Sequence, residues 1–122
     1  MEALKVLLVD DEEEFTSALA ERLNLRGMSA SAASSGEIAL KMIEEDPPRV
    51  VILDMLMPGL SGKELLARIR AAHPGIGVIF LTGHGSEAVR AESFPEDCAY
   101  LMKPVKLDEL IEKIHSAVEA SA

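Results

Sequence analysis

The sequence predicts an α/β fold: a parallel β-sheet with helices on both faces. Three observations carry this. Short apolar runs alternate with longer segments of helical period about five times along the chain, which argues for right-handed β-α-β crossovers. The central runs are almost unbroken in β-branched and aliphatic residues, the pattern of strands covered on both sides. Acids, a hydroxyl and an amine directly follow the runs, where open parallel sheets collect functional groups.

The first strand is "LKVLLV", Leu4 to Val9. Phe15, Leu19 and Leu23 then stand four apart and predict a helix, with Gly27 as its C-terminal cap. Met28 to Ala33 is a weaker second strand. Ile38, Ala39, Met42 and Ile43 form the stripe of a second helix, with Ser34 or Ser35 as N-cap and Pro47-Pro48 as its stop. "VVIL", Val50 to Leu53, is the third strand. Leu65, Leu66 and Ile69 mark a third helix, ended near His73-Pro74-Gly75. "VIFL", Val78 to Leu81, is the fourth strand, and "CAYLM", Cys98 to Met102, the fifth. Between these two, Ser86 to Asp97 carries a weak stripe broken by Pro95, which predicts a short or irregular helix. Leu107, Leu110, Ile111, Ile114 and Val118 give the last helix, with Asp108 and Glu109 in its first turn.

The totals narrow the function. A chain of 122 residues suits one domain over 1–122 and can bury one core. Apolar residues at 48% and charged residues at 27% exclude a disordered chain. Acids outnumber bases 21 to 12, for a formal charge of −9. That disfavours nonspecific binding to nucleic acid or to an anionic membrane. Cys98 is the single cysteine, so no intrachain disulfide forms, which fits a reducing compartment. The N-terminal apolar run is too short for a signal peptide, and no stretch approaches the roughly 20 residues that span a bilayer. The expectation is a cytoplasmic protein.

The strand ends carry the chemistry. Asp10-Asp11 end the first, Asp54 the third, Thr82-Gly83 the fourth and Lys103-Pro104 the fifth. Each has a plain structural reading. Asp10-Asp11 with Glu12, Glu13 and Glu14 are also an acidic helix start, Asp54 and Thr82 also turn residues, and Lys103 also a solvated lysine. Their coincidence at one sheet edge favours a site. Three carboxylates in one pocket repel, by roughly 4 kcal/mol for two unit charges about 4 Å apart at a surface-like dielectric. All-oxygen ligands and few protein groups suit Mg²⁺, with phosphate as co-ligand. A carboxylate, a hard cation, an ammonium and a hydroxyl are the parts needed to phosphorylate Asp54. Met55 and Met57 read as packing groups, because soft thioethers suit Mg²⁺ poorly. Pro58-Gly59 and Gly62 turn the chain into the third helix, His84 reads as a solvated loop histidine, and Cys98 as a buried apolar residue.

The pieces "VLLVDDEEEF", "VILDMLMPGLSG", "VIFLTGHG" and "YLMKP", in this order, resemble the response regulator receiver domain of two-component signalling, the CheY-like family. The resemblance runs from Leu4 to about Val118. It implies a flavodoxin-like, doubly wound five-stranded sheet in the order 2-1-3-4-5, with about five helices. It implies that Asp54 accepts a phosphoryl group from a phosphohistidine of a sensor histidine kinase or phosphotransfer protein. Asp11 and Asp54 would hold Mg²⁺ directly, Asp10 through a bound water, and Leu56 by its carbonyl. Lys103 would pair with the phosphoryl oxygens and Thr82 would bond to one, with Gly83 leaving room. The Lys103-Pro104 bond would be cis and aim the lysine inward. Tyr100 matches the switch aromatic that moves inward with Thr82. The output would be a downstream protein or output domain, and the chain would act as a switch, with no enzymatic turnover beyond its own phosphoryl transfer and autodephosphorylation.

The stretch "SEAVRAESFPEDCAYLMKP" departs from the family, with Ser93-Phe94-Pro95-Glu96-Asp97 where receivers carry a helix ending in a Gly-Ala turn. The output surface, and dimerisation on phosphorylation, therefore stay open. Two other classes compete on the residues alone. One is a Mg²⁺-dependent phosphohydrolase with an aspartyl nucleophile, disfavoured by the absence of an evident cap or substrate pocket. The other is an interaction domain that is never phosphorylated.

Overall fold

The computed structural model describes residues 3–54, 62–82 and 99–121, without the side chains of Gly62, Lys63, Thr82 and Ser121. In chain order the elements are β1 (Lys5–Val9), α1 (Glu13–Leu25), β2 (Ser29–Ala33), α2 (Gly36–Glu45), β3 (Val50–Asp54), α3 (Gly62–Ala72), β4 (Gly77–Thr82), β5 (Ala99–Met102) and α4 (Leu107–Ser121). All strand pairs are parallel, in the order β2-β1-β3-β4-β5. Four helices stand among the described residues. The short helix expected within 86–97 lies outside them, as do Met55, Leu56, Met57, Pro58-Gly59, Gly83, His84 and Cys98.

The unbroken apolar runs have their cause in the two faces of the sheet. Successive strand residues point to opposite sides. Leu7, Val9, Val51, Leu53, Val78 and Phe80 share one core with Ala39 and Ile43 of α2 and Leu65, Leu66 and Ile69 of α3. Val6, Leu8, Val50, Ile52, Ile79 and Leu81 share the other with Leu19 and Leu23 of α1 and Leu110 and Ile114 of α4. Every residue of β3 is buried, including its terminal Asp54.

Helix ends follow the sequence chemistry. The Ser35 hydroxyl oxygen accepts from the Ile38 N–H at 3.2 Å and caps α2. The end of α1 is a Schellman turn: the Gly27 N–H donates to Asn24 at 3.1 Å and the Met28 N–H to Leu23 at 3.2 Å. Gly27 sits at φ 90°, which only glycine adopts without strain. Ile38 departs from its expected stripe and is 44% exposed. The buried face of α2 is centred on Gly36, Ala39 and Ile43, and Ile38 lies about 100° round the helix from Ala39.

The weak strand β2 is a sheet edge, and Asn24 covers it. The Ala30 N–H donates to Asn24 Oδ1 at 2.8 Å, and Asn24 Nδ2 donates to the Ala30 carbonyl at 3.3 Å. One side-chain amide thus occupies an outward backbone pair that a further strand would use.

No atom lies within 4 Å of a Cβ built on Gly27, so substitution there tests backbone strain alone. Gly27→Ala should lower unfolding free energy by about 1 kcal/mol in urea titrations, with an unchanged m-value.

Candidate functional site at the strand ends

Register places the acids. Val9 pairs with Leu53, so Asp10, the next residue along, stands level with Asp54. The Asp10 N–H donates to the Ala33 carbonyl at 3.1 Å, which ties it to the end of β2 as well. Asp10 is fully buried, and its Oδ1 accepts from the Glu12 N–H at 3.0 Å, bending the chain into α1. Asp11 is exposed beside it. One carboxylate oxygen from each of Asp10, Asp11 and Asp54 lies within 4.8 Å of the other two.

Lys103 reaches this group from the far side of the sheet. It follows β5, which is three strand spacings, roughly 14 Å, from β1. The segment after β5 and the long lysine stem cover that distance together. The Lys103-Pro104 bond is cis. The ammonium lies 2.6 Å from Asp10 Oδ2, 3.1 Å from Glu12 Oε1 and 3.7 Å from Asp54 Oδ2. It also stands 4.7 Å from the centre of the Phe15 ring, within cation–π range. Burial lowers the lysine pKa, and hydrogen bonds to Asp10 and Glu12 with the charges of Asp54 and Asp10 outweigh it, so the net pKa is raised.

Among the described residues, four carboxylates and one ammonium leave an excess of negative charge. The described donors are oxygens only; Asp10 and Asp54 are buried and Asp11 is exposed. That set fits a small hard divalent cation which keeps part of its water shell. Asp10, Asp11 and Asp54 are the side chains placed to hold it.

The sequence-predicted Asp10, Asp11, Asp54 and Lys103 meet at one rim. Thr82 closes β4 in register with Met102, one residue before Lys103; its side chain is not among those described. Leu56, the expected carbonyl ligand, also lies outside the described residues. Tyr100 is 41% exposed on β5. Glu12 and Phe15, which the sequence presents only as part of a helix start and a core stripe, both touch the lysine.

An acid-lined rim at the C-terminal ends of a 2-1-3-4-5 parallel sheet defines a class: doubly wound α/β proteins with a charged site at the strand ends. The comparisons resolve the class. The family model of the response regulator receiver domain matches residues 6–115. Transcriptional regulatory protein GlrR of Escherichia coli (strain K12) is 38% identical over 119 residues, 96% of this chain and 27% of that protein. Transcriptional regulatory protein CpxR of Klebsiella pneumoniae is 38% identical over 120 residues, 96% of this chain and 50% of that protein. A response regulator receiver domain protein from Clostridium thermocellum superposes with a TM-score of 0.86 at 34% identity, covering 96% of this chain and 95% of that one. NtrX from Brucella abortus gives 0.83 at 32%, covering 98% and 28%. This chain belongs to the response regulator receiver domain family, whose members act as signalling switches in two-component systems. It spans between 27% and 50% of the length of the two regulators named first. No described helix is long and apolar enough to cross a membrane.

Lys103 is the cation that offsets the acids, so its loss should be costly. Without Mg²⁺, Lys103→Met should destabilise the fold by about 2–3 kcal/mol near neutral pH. Its raised pKa means that this stabilisation is complete below the unfolded value, about 10.4, and fades as pH rises through the higher folded value. Urea titrations of both proteins from pH 7 to alkaline pH should show the gap constant, then closing.

Proposed function

We propose that this domain is a phosphorylation switch in which Asp54 accepts a phosphoryl group from a phosphohistidine of a sensor histidine kinase or phosphotransfer protein. One observation supports this most. The Asp54 carboxylate meets two further acids and a lysine at a rim where phosphoryl oxygens would be neutralised. A carboxylate oxygen of Asp54 attacks phosphorus, the P–N bond to the imidazole breaks, and the bonding pair leaves with that nitrogen.

Asp10, Asp11 and Asp54, with the Leu56 carbonyl, are the proposed holders of Mg²⁺. The bound cation supplies charge neutralisation at the carboxylates and at phosphoryl oxygens. Lys103 supplies a second positive group from the opposite side, and Thr82 is the proposed hydroxyl donor to a phosphoryl oxygen. Rigid β1 and β3 hold Asp10 and Asp54 at fixed separation, so little reorganisation accompanies transfer.

Phosphorylation then favours the conformation in which Thr82 and Lys103 contact the new group, with Tyr100 moving inward from its exposed position. Reversing an equilibrium from 1:99 to 99:1 takes about 5.5 kcal/mol of differential stabilisation. Charge-assisted bonds in a half-buried site supply energy of that order. On this reading residues 1–122 form one receiver domain, which works in the cytoplasm and passes its state to a downstream protein or output domain. The nature of the regulators GlrR and CpxR supports such an output.

Incubation with Mg²⁺ and acetyl phosphate, followed by intact mass measurement, tests the reading. One phosphoryl group per chain, prevented when the metal is chelated before the donor is added and lost in Asp54→Asn, is the expected result. An unchanged mass with every donor and kinase would assign the chain to pure interaction domains, and catalytic turnover of a phosphorylated metabolite would assign it to hydrolases.

A further inference from the structure

We propose that Glu12 is a positioning residue that draws the Lys103 ammonium toward α1 and so opposes the phosphorylated state. This rests on the reading of Asp54 as phosphoacceptor. The ammonium is not centred among the acids. It lies closer to Asp10 and Glu12, at 2.6 and 3.1 Å, than to Asp54, at 3.7 Å. The Phe15 ring, on the same helix side, adds a fourth contact at 4.7 Å.

Glu12 is well placed to hold this position. Its N–H donates to Asp10 Oδ1 at 3.0 Å, so its main chain is tied to the carboxylate that also binds the lysine. Its carbonyl accepts from the Thr16 N–H at 3.1 Å and from the Thr16 hydroxyl at 3.3 Å, and Thr16 is buried. The main chain is therefore fixed, and the side chain extends from it onto Lys103.

A phosphoryl group on Asp54 adds negative charge and acceptor oxygens at the most distant of the three carboxylates around the ammonium. Of the three donors of the ammonium, Asp10 takes one and Glu12 a second, which leaves one for the phosphoryl oxygens. Moving toward the phosphoryl oxygens stretches the Glu12 contact, so Glu12 and the phosphoryl group compete for one cation. The Glu12 side chain is 65% exposed, so solvent screens the pair. Glu12 thus tunes the switch without blocking it.

Beryllofluoride, which mimics a phosphoryl group on a carboxylate, reads the competition directly. Its affinity is measured at saturating Mg²⁺, with saturation established separately for each variant. Glu12→Gln should bind it about two- to fivefold more tightly than the wild type, the range set by a screened ion pair. Glu12→Asp keeps the charge but is one methylene too short for the contact, and should match Glu12→Gln. The Lys103 ammonium resonance should move in both variants before ligand is added. Equal or weaker beryllofluoride binding in Glu12→Gln overturns the proposal, as does wild-type affinity in Glu12→Asp, which would show an effect of net charge alone. Asp54→Asn separates the two readings. Undiminished binding there removes the phosphoacceptor assignment and this inference with it, whereas binding lost there but unaltered in the Glu12 variants removes only this inference.

Discussion

The contact between the Lys103 ammonium and the buried Asp10 carboxylate is the interaction on which the rim depends. A fully buried charge is costly unless it is hydrogen-bonded and paired. Here it has a backbone donor on one oxygen and the lysine on the other. That lysine comes from the strand farthest from β1 on its side of the sheet, so the pair also ties the two ends of the active rim together. A single ammonium is shared among three acids, and the remaining negative charge is what a divalent cation would offset.

The rest of the fold serves that arrangement. Two apolar layers, one on each face, clamp β1, β3 and β4, and parallel register then fixes where each strand ends. Asp54 closes a strand of five buried residues, so it has little freedom to relax away from Asp10. Close approach of like charges is therefore imposed by packing.

Much of this was legible in the sequence, for identifiable reasons. β1, β3 and β4 read clearly because burial on both faces leaves no polar alternation to confuse. Asp10-Asp11 and Asp54 follow such runs and Lys103 follows the half-exposed β5; each alone has a plain reading, and their coincidence at one sheet edge is what favours a site. The strand order did not follow from periodicity; family resemblance implied it. β2 read weakly because an edge strand of serines and alanines is mostly exposed. Ile38 misled because a helix stripe covers a range of angles, and its centre is set by what the helix packs on. Glu12 and Phe15 went unrecognised as lysine contacts because their partner lies 91 residues away in the case of Glu12, a separation that local pattern cannot register. The Asn24 cover on β2 was hidden for a related reason, since a bond from helix to strand edge leaves no periodic mark.

Paramagnetic Mn²⁺ in place of Mg²⁺ offers the most direct check that one rim gathers these groups. In a two-dimensional amide spectrum, low Mn²⁺ should selectively broaden Asp10, Asp11, Asp54 and Lys103, while Ser29, Val50 and Gly77 at the opposite ends of their strands stay sharp. Broadening scattered over other surface acids, or sparing Lys103 while affecting Asp10, would contradict a shared metal site at the C-terminal edge of the sheet.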